Sequence, residues 1–297
     1  MRNRTLIWLL LGGGAFALMV VTLLAVMLSV GQDDGGEFGF SDRVQVVDIE
    51  GEIVDSRDVI AQLKRYEDSN SVRAILLNID SPGGGVAVSQ ELYTEIKRLR
   101  EKKNKTIVAY MSSTGASGAY YAACAANKII ANPGTVVGSI GVIAEWINYG
   151  DLLQWAKLKD IVFKTGEFKD TGSATRPLTD REKTYFQSLI DDMYVQFVEA
   201  VATGRGLEIQ DVRSIADGRV FTGRDAKARK LIDEIGNFQD AVDLTAKLAG
   251  LSGKPRLLQP TRQRVTLLDV LTSDLSRIVP FQGKVLKSQI RFQYLWK

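Results

Sequence analysis

Two glycine- and serine-rich segments carry the residue types that acyl-transfer chemistry needs. The first is Ser81-Pro82-Gly83-Gly84-Gly85-Val86, which follows the apolar run ending in Asn78-Ile79-Asp80. Where such a turn opens a helix, its backbone N–H groups point outward and attract negative charge. It lacks the lysine of a phosphate-binding P-loop and fits no G-x-G-x-x-G register. An oxyanion hole remains as a chemical use, and a plain tight turn accounts for the glycines equally well. The second segment is Ser112-Ser113-Thr114-Gly115-Ala116-Ser117-Gly118-Ala119-Tyr120-Tyr121. Ser117 stands between a strand-like run and an alanine-rich helical pattern, where a nucleophile elbow would present its hydroxyl. Serine also serves as a helix N-cap at such a place, and the motif alone leaves both readings open.

The chain has no histidine and one cysteine, Cys124. Ser-His-Asp and Cys-His hydrolases are thereby excluded, because both need an imidazole base. The usual hydrolytic zinc sites are excluded too, since neither His ligands nor a thiolate cluster can be assembled. No metal or cofactor is expected. A lone cysteine forms no intrachain disulfide, and a net charge of +3 on 38 basic and 35 acidic residues gives no field that argues for nucleic acid.

The elements that would position these residues follow an α/β pattern. Strand-like runs at 44–49, 73–79, 106–111 and 161–164 are separated by helical patterns at 56–67 and 86–102. Further helices are predicted at 179–203, opened by a Thr179-x-x-Glu182 capping box, and at 223–230 after a Thr222 cap. With 297 residues, 45% of them hydrophobic, the chain can bury one sizeable α/β core or at most two small ones. Alternating strands and helices imply parallel crossovers.

Residues 6–30 carry no charge, and a helix of that length exceeds a hydrocarbon core of about 30 Å. A cleaved signal peptide would have an apolar region of about 7–15 residues ending in small residues, which fits poorly. Arg2 and Arg4 precede this span, while Asp33, Asp34 and Glu37 follow it. The positive-inside rule places residues 1–5 in the cytoplasm and the rest outside. Residues 31–41 read as a linker, 42–253 as the main domain and 254–297 as a basic extension. That extension holds nine Lys or Arg against Asp269 and Asp274, a balance of +7 that leaves −4 for the rest. Within it, Leu268, Leu271, Leu275 and Ile278 recur at helical spacing, as in an amphipathic helix packed on a subunit or membrane surface. A solvated basic surface with an ordinary docked helix explains the same pattern.

Taken in order, Ser81-Pro82-Gly83-Gly84-Gly85-Val86, Gly115-Ala116-Ser117-Gly118-Ala119-Tyr120-Tyr121 and Gly138-Ser139-Ile140-Gly141-Val142-Ile143 resemble the signal peptide peptidase A family. Ala216-Asp217-Gly218-Arg219-Val220-Phe221-Thr222-Gly223 resembles a later family segment. The similarity covers roughly 44–248. It implies a Clp-like or crotonase-like α/β core of parallel strands and crossover helices, preceded here by one transmembrane helix, and a homo-oligomeric ring whose active sites face a chamber. By the same resemblance Ser117 matches the nucleophile and Lys169 the general base. Ser139 matches the hydroxyl that holds the amine, and Gly84 with Gly118 the oxyanion-hole donors, although Gly83 or Gly85 could supply the first of these. Nothing else in the sequence distinguishes Lys169 from its other lysines. Glu167 and Asp170 flank it, and either carboxylate facing the amine would favour the charged form and weaken the base. Both are expected to point away.

The resemblance implies a serine endopeptidase with a Ser-Lys dyad, sited at a bacterial cell membrane, that degrades remnant signal peptides and similar short hydrophobic peptides. A quality-control protease acting on membrane-protein fragments or on a dedicated partner has the same sequence signature. Crotonase-like acyl-CoA enzymes share the core, but an external domain would find no CoA. A degenerate scaffold would have lost Ser117 or Lys169.

Overall fold

Alternating apolar residues in three consecutive strands build the centre of the molecule. The computed structural model describes residues 43–259 and 291–296, together with Met19, Val21 and Thr22. The chain divides into two units, Met1–Phe40 and Ser41–Lys297. The three described residues of the first unit are helical and exposed. Among the described residues no helix is long and apolar enough to cross a membrane. The anchor expected at 6–30 falls almost wholly outside those residues, as does the amphipathic helix expected around 268–278.

In the second unit β1 (Arg43–Glu50) leads through α1 (Arg57–Lys64) to β2 (Val72–Ser81). Pro82 separates β2 from β3 (Gly83–Gly85), which runs directly into α2 (Val86–Lys102). β4 (Thr106–Ala116) stops at Ser117, where α3 (Gly118–Ala123) begins. Then come β5 (Lys128–Ala131), β6 (Val136–Gly138), β7 (Ile143–Glu145) and α4 (Gly150–Trp155). A 3-10 turn at Glu167–Asp170 precedes the long α5 (Asp180–Arg205) and α6 (Ile209–Ile215). β8 (Val220–Thr222), α7 (Gly223–Ala228), β9 (Glu234–Ile235), α8 (Phe238–Leu248) and β10 (Arg256–Leu258) follow, and β11 (Arg291–Leu295) lies near the C-terminus.

Among the described residues the main sheet has eight strands, with the order β10-β1-β2-β4-β5-β9 running parallel throughout. β6 extends the far end of β4 in parallel, and β8 pairs antiparallel with β6. Side chains of a strand alternate between faces, and here both faces are covered. Val47, Ile49, Ile75, Leu77, Ile79, Ile107, Ala109 and Met111 point into the larger core, with α2, α3 and α5. Val44, Ala74, Leu76, Val108 and Tyr110 point into the smaller one, against Ala241 and Val242 of α8. This explains why the central strands read as near-continuous apolar runs.

The capping signals behave as their chemistry dictates. The Thr179 hydroxyl accepts from the Glu182 N–H, and the Glu182 carboxylate accepts from the Thr179 N–H, which fixes the start of α5. Thr222 caps α7 in the simpler way. The strand expected at 161–164 does not form. Those residues lack regular structure, with Ile161 74% and Phe163 95% exposed. Branched and aromatic side chains favour a strand only where a neighbouring strand accepts their backbone groups.

Candidate active site

Three neighbouring parallel strands, β2, β4 and β6, deliver their carboxyl ends to one edge of the sheet, where open α/β sheets place ligands. Ser81 lies opposite Gly115, and Ala116 opposite Gly138. The glycine segment, Ser117 and Ser139 are therefore brought together from positions far apart in sequence. The Ser117 N–H donates to the Gly138 carbonyl at 2.7 Å, which ties the second strand end to the third.

Ser117 occupies the N-cap position of α3, yet its side chain makes no capping hydrogen bond. Its backbone has φ 53° and ψ −119°, a conformation that costs a non-glycine residue about 1–3 kcal/mol and that clusters at functional sites. A serine serving only as a cap would adopt extended geometry and bond the first turn. Ser117 is buried and its hydroxyl has no hydrogen-bond partner among the described residues. Ser139 is also held at positive φ, 52°, with its N–H donating to the Arg219 carbonyl at 2.9 Å. It lines a cavity with Gly141, Ile143, Leu295 and Trp296.

The three glycines of β3 differ in where their N–H groups go. Gly83 donates to the Ser81 hydroxyl at 3.1 Å, and Gly85 to the Ile53 carbonyl at 2.9 Å. Ile53 in turn donates to the Gly83 carbonyl at 2.8 Å. Backbone groups of a strand alternate in direction, so the Gly84 N–H points the other way, toward β11. A methyl group on Gly118 would lie 3.2 Å from the Gly84 nitrogen, 3.1 Å from the Tyr294 carbonyl oxygen and 2.3 Å from the Ser89 hydroxyl. One on Gly83 would lie 2.2 Å from the same Tyr294 oxygen and 2.6 Å from the Gly118 nitrogen. Gly84, Gly118 and the Tyr294 carbonyl thus converge on one point, and only residues without a Cβ allow it.

The element that brings Tyr294 there is β11. It is the middle strand of a second, three-stranded antiparallel sheet in the order β3-β11-β7. Tyr294 pairs with Gly84, and Phe292 with Ala144. The Tyr294 ring is fully buried, stacked on Tyr121 at 5.3 Å between centroids and packed on Phe197 at 4.6 Å. Its phenol donates to the Met193 carbonyl at 2.7 Å. Burial pushes the ionisation of both phenols upward, that of Tyr121 to about 12. The sequence reading missed this strand. The available signal was the alternation in Arg291-Phe292-Gln293-Tyr294-Leu295, which has no nearby partner in sequence to announce it.

Lys169 stands apart from this cluster. It lies on the 3-10 turn, exposed, with no side-chain hydrogen bond or ion pair among the described residues. Its acidic neighbours are engaged elsewhere. Asp170 accepts from Arg176 and Lys164, whose hydrogen bonds hold its carboxyl down to about 2. Glu167 pairs with Arg181 at 2.6 Å. Among the segments that precede the turn in the chain, Trp155 is 82% exposed and Ile147 74%.

Comparison with known proteins gives the family. Residues 99–252 match peptidase family S49, and residues 40–137 match Clp protease. The chain is 41% identical to a protein named as a protease in Synechocystis, over 70% of this chain and 75% of that one. It is 35% identical to a protein named as signal peptide peptidase SppA in Enterococcus faecium, over 64% of this chain and 55% of that one. Identity to Protease 4 of Haemophilus influenzae is 32%, over 71% of this chain and 35% of that one. The chain therefore spans three quarters of the first relative, about half of the second and about a third of the third. With the S49 match covering more than half of its length and a relative 41% identical over three quarters of that relative's chain, the chain belongs to peptidase family S49.

Proposed function

We propose that this peptidase is a membrane-anchored serine endopeptidase that degrades cleaved signal peptides and similar short hydrophobic peptides through a Ser117–Lys169 dyad. The observation that carries the reading is a peptide carbonyl, that of Tyr294, lodged where the Gly84 and Gly118 backbone donors meet beside a strained serine. An oxyanion hole presents such donors to the charge that develops on a carbonyl under attack.

In this mechanism the Ser117 Oγ attacks the substrate carbonyl carbon as its proton passes to the Lys169 Nζ. The carbonyl oxygen becomes an oxyanion held by the Gly84 and Gly118 N–H groups. Collapse breaks the C–N bond, and the Lys169 ammonium returns a proton to the leaving amine. Water, activated by the same amine, then hydrolyses the acyl-enzyme. Ser139, an uncharged partner, orients the amine without favouring its protonated form.

An amine acts as a base only where its charged form is disfavoured, and burial does this. Lys169 is exposed and stands apart from Ser117 in the single chain, so the mechanism requires assembly into a homo-oligomeric ring that both covers this turn and carries its amine to a serine site, within hydrogen-bond reach of the hydroxyl. The exposed Ile161 and Phe163, which precede the turn in the chain, support that requirement, since exposed large apolar side chains mark a contact. The engagement of Asp170 and Glu167 by other cations leaves the amine free of a carboxylate partner. In this reading the uncharged run 6–30 is the anchor, and the charge bias of its flanks favours a domain outside the cytoplasm, beside the bilayer where hydrophobic remnants collect.

The test is to treat the full chain in detergent with a serine-directed probe and map the modified residue. Modification at Ser117, lost in Ser117→Ala and Lys169→Ala, is expected. Lys169→Arg should be as inactive, because a guanidinium keeps its proton. Modification at another serine, or near-normal turnover in Lys169→Ala, overturns the dyad.

A further inference from the structure

We infer that Ser81 is a positioning residue for the reaction: its buried hydroxyl fixes the register of the glycine strand β3, so that Gly84, and neither Gly83 nor Gly85, presents its N–H to the developing oxyanion. The inference rests on the oxyanion-hole reading above and names the group that sets the geometry of that hole.

A strand of three glycines is poorly specified on its own. It has no side chains to hold one face against a core, and a slip of one residue turns each backbone group to the opposite side. Gly83 and Gly85 would then face β11, and Gly84 would face away from it. The register must be fixed from outside the strand.

Ser81 fixes it from two directions. Its side chain is fully buried, and its hydroxyl accepts from the Gly83 N–H at 3.1 Å while donating to the Gly51 carbonyl at 2.6 Å. The first bond occupies the Gly83 donor, and Pro82 before it has no N–H to offer. The second bond holds the turn 51–53, in which Gly51, at φ 67°, donates to the Asp80 carbonyl at 2.9 Å. That turn carries Ile53, which bridges to Gly84 by accepting from the Gly85 N–H and donating to the Gly83 carbonyl. Both competing donors are thus engaged, one by the hydroxyl and the other by the turn that the hydroxyl holds. Gly84 is left facing β11, where Tyr294 pairs with it. The strand that carries the nucleophile has separate supports. The Thr114 N–H donates to the Asp80 carboxylate at 3.1 Å, and the Ser117 N–H to the Gly138 carbonyl at 2.7 Å. Loss of the Ser81 hydroxyl therefore displaces the oxyanion donor and leaves Ser117 in place.

The experiment measures kcat and KM of the full chain in detergent on a fluorogenic hydrophobic peptide, for the unmodified chain, Ser81→Ala, Ser81→Thr and a control, Thr245→Val. Thr245 of α8 is also fully buried and spends its hydroxyl on the Ala241 carbonyl at 2.6 Å, so its replacement reports destabilisation alone. In Ser81→Ala kcat is expected to fall about 100-fold, the scale of a lost oxyanion donor. KM should stay within about threefold, because β11 and the substrate compete for the same strand edge and weaken alike. Ser81→Thr keeps the oxygen and should recover most of the turnover, and Thr245→Val should match the unmodified chain. Where Ser81→Ala folds poorly, Ser81→Cys, of similar shape but a weak acceptor, must show the same split between kcat and KM. Near-normal turnover in Ser81→Ala, a loss carried by KM alone, or an equal loss in Thr245→Val overturns the assignment. Hydrogen exchange separates this inference from the peptidase reading. Residues 83–85 and 291–295 should lose protection in Ser81→Ala and keep it in Thr245→Val, whether or not the peptide is cleaved. Equal protection in Ser81→Ala and the unmodified chain would remove Ser81 from the role. Lost protection in a chain that never cleaves the peptide would leave the register assignment standing and sink the peptidase reading instead.

Discussion

Replacing Tyr294 by alanine tests whether β11 controls access to Ser117. The ring is fully buried against Tyr121 and Phe197, and its phenol bonds the Met193 carbonyl. Truncating a buried aromatic to alanine costs about 3–5 kcal/mol. The backbone ladder to β3 and β7 survives the substitution, so the lower figure, about 3 kcal/mol, applies to unseating the strand. At 1.4 kcal/mol per tenfold, the open groove becomes about 150-fold more populated. Tyr294→Phe keeps the ring and loses one hydrogen bond worth about 1 kcal/mol, which predicts a rise of about fivefold. The assay is the rate at which a small serine-directed probe modifies Ser117, alongside hydrogen exchange of the Gly84 amide. Both should rise in the order wild type, Tyr294→Phe, Tyr294→Ala, while the thermal transition of the main sheet stays cooperative. Modification rates within twofold of one another across the three proteins would refute the idea that β11 screens the serine.

Two further outcomes follow from the same geometry. Gly118→Ala places a methyl group 2.3 Å from the Ser89 hydroxyl, which can swing aside, and within 3.2 Å of the Gly84 nitrogen. The fold should persist while kcat falls about 100-fold or more, as for a lost oxyanion donor, and Ser89→Ala in the same chain should restore stability without restoring turnover. Acid should loosen the segment that carries Lys169. Asp170 is held down to about 2 by Arg176 and Lys164, so its stabilising contribution is full above the unfolded value of about 3.9 and disappears as pH falls toward 2. Protection of the amides across 164–182, measured against intrinsic exchange at each pH, should therefore fall between pH 5 and pH 3, and in Arg176→Ala it should already be low at pH 7. Equal protection at pH 5 and pH 3 would refute that coupling.

The parts of this molecule that depend on local periodicity were legible from residues alone. Ile75, Leu77 and Ile79 alternate with Ala74 and Leu76 because both faces of the sheet are buried, and the helix starts at Thr179 and Thr222 follow from one side chain's bonding capacity. Ser117 was visible as a candidate, but only the positive φ and the missing cap bond separate it from an ordinary helix cap. The exposed run at 161–164 carries strand-forming side chains without a strand to pair with. Tyr294 could not be read at all. Beyond the alternation that marks 291–295 as strand-like, its role depends on pairing with Gly84, 210 positions earlier, and on a pocket assembled from α3 and α5, which no local pattern announces. Lys169 has no local signature, and its exposure in the single chain shows why: what would make it a base lies in contacts beyond its own segment.

The middle position of β11 also limits what else can occupy its place. With neighbouring strands about 4.8 Å apart, β3 and β7 face each other across a slot about 10 Å wide. A helix with its side chains measures about 10–12 Å across, and its N–H and C=O groups are already spent on itself. Such a segment can neither enter the slot nor bond its two edges. An extended chain does both, whatever its side chains, because each edge is read through the peptide backbone. The slot therefore discriminates first by conformation. Under the proposed function, a hydrophobic segment still helical in a bilayer or packed in a folded protein would be spared, and the same segment would become a fit once it had left that environment and unwound.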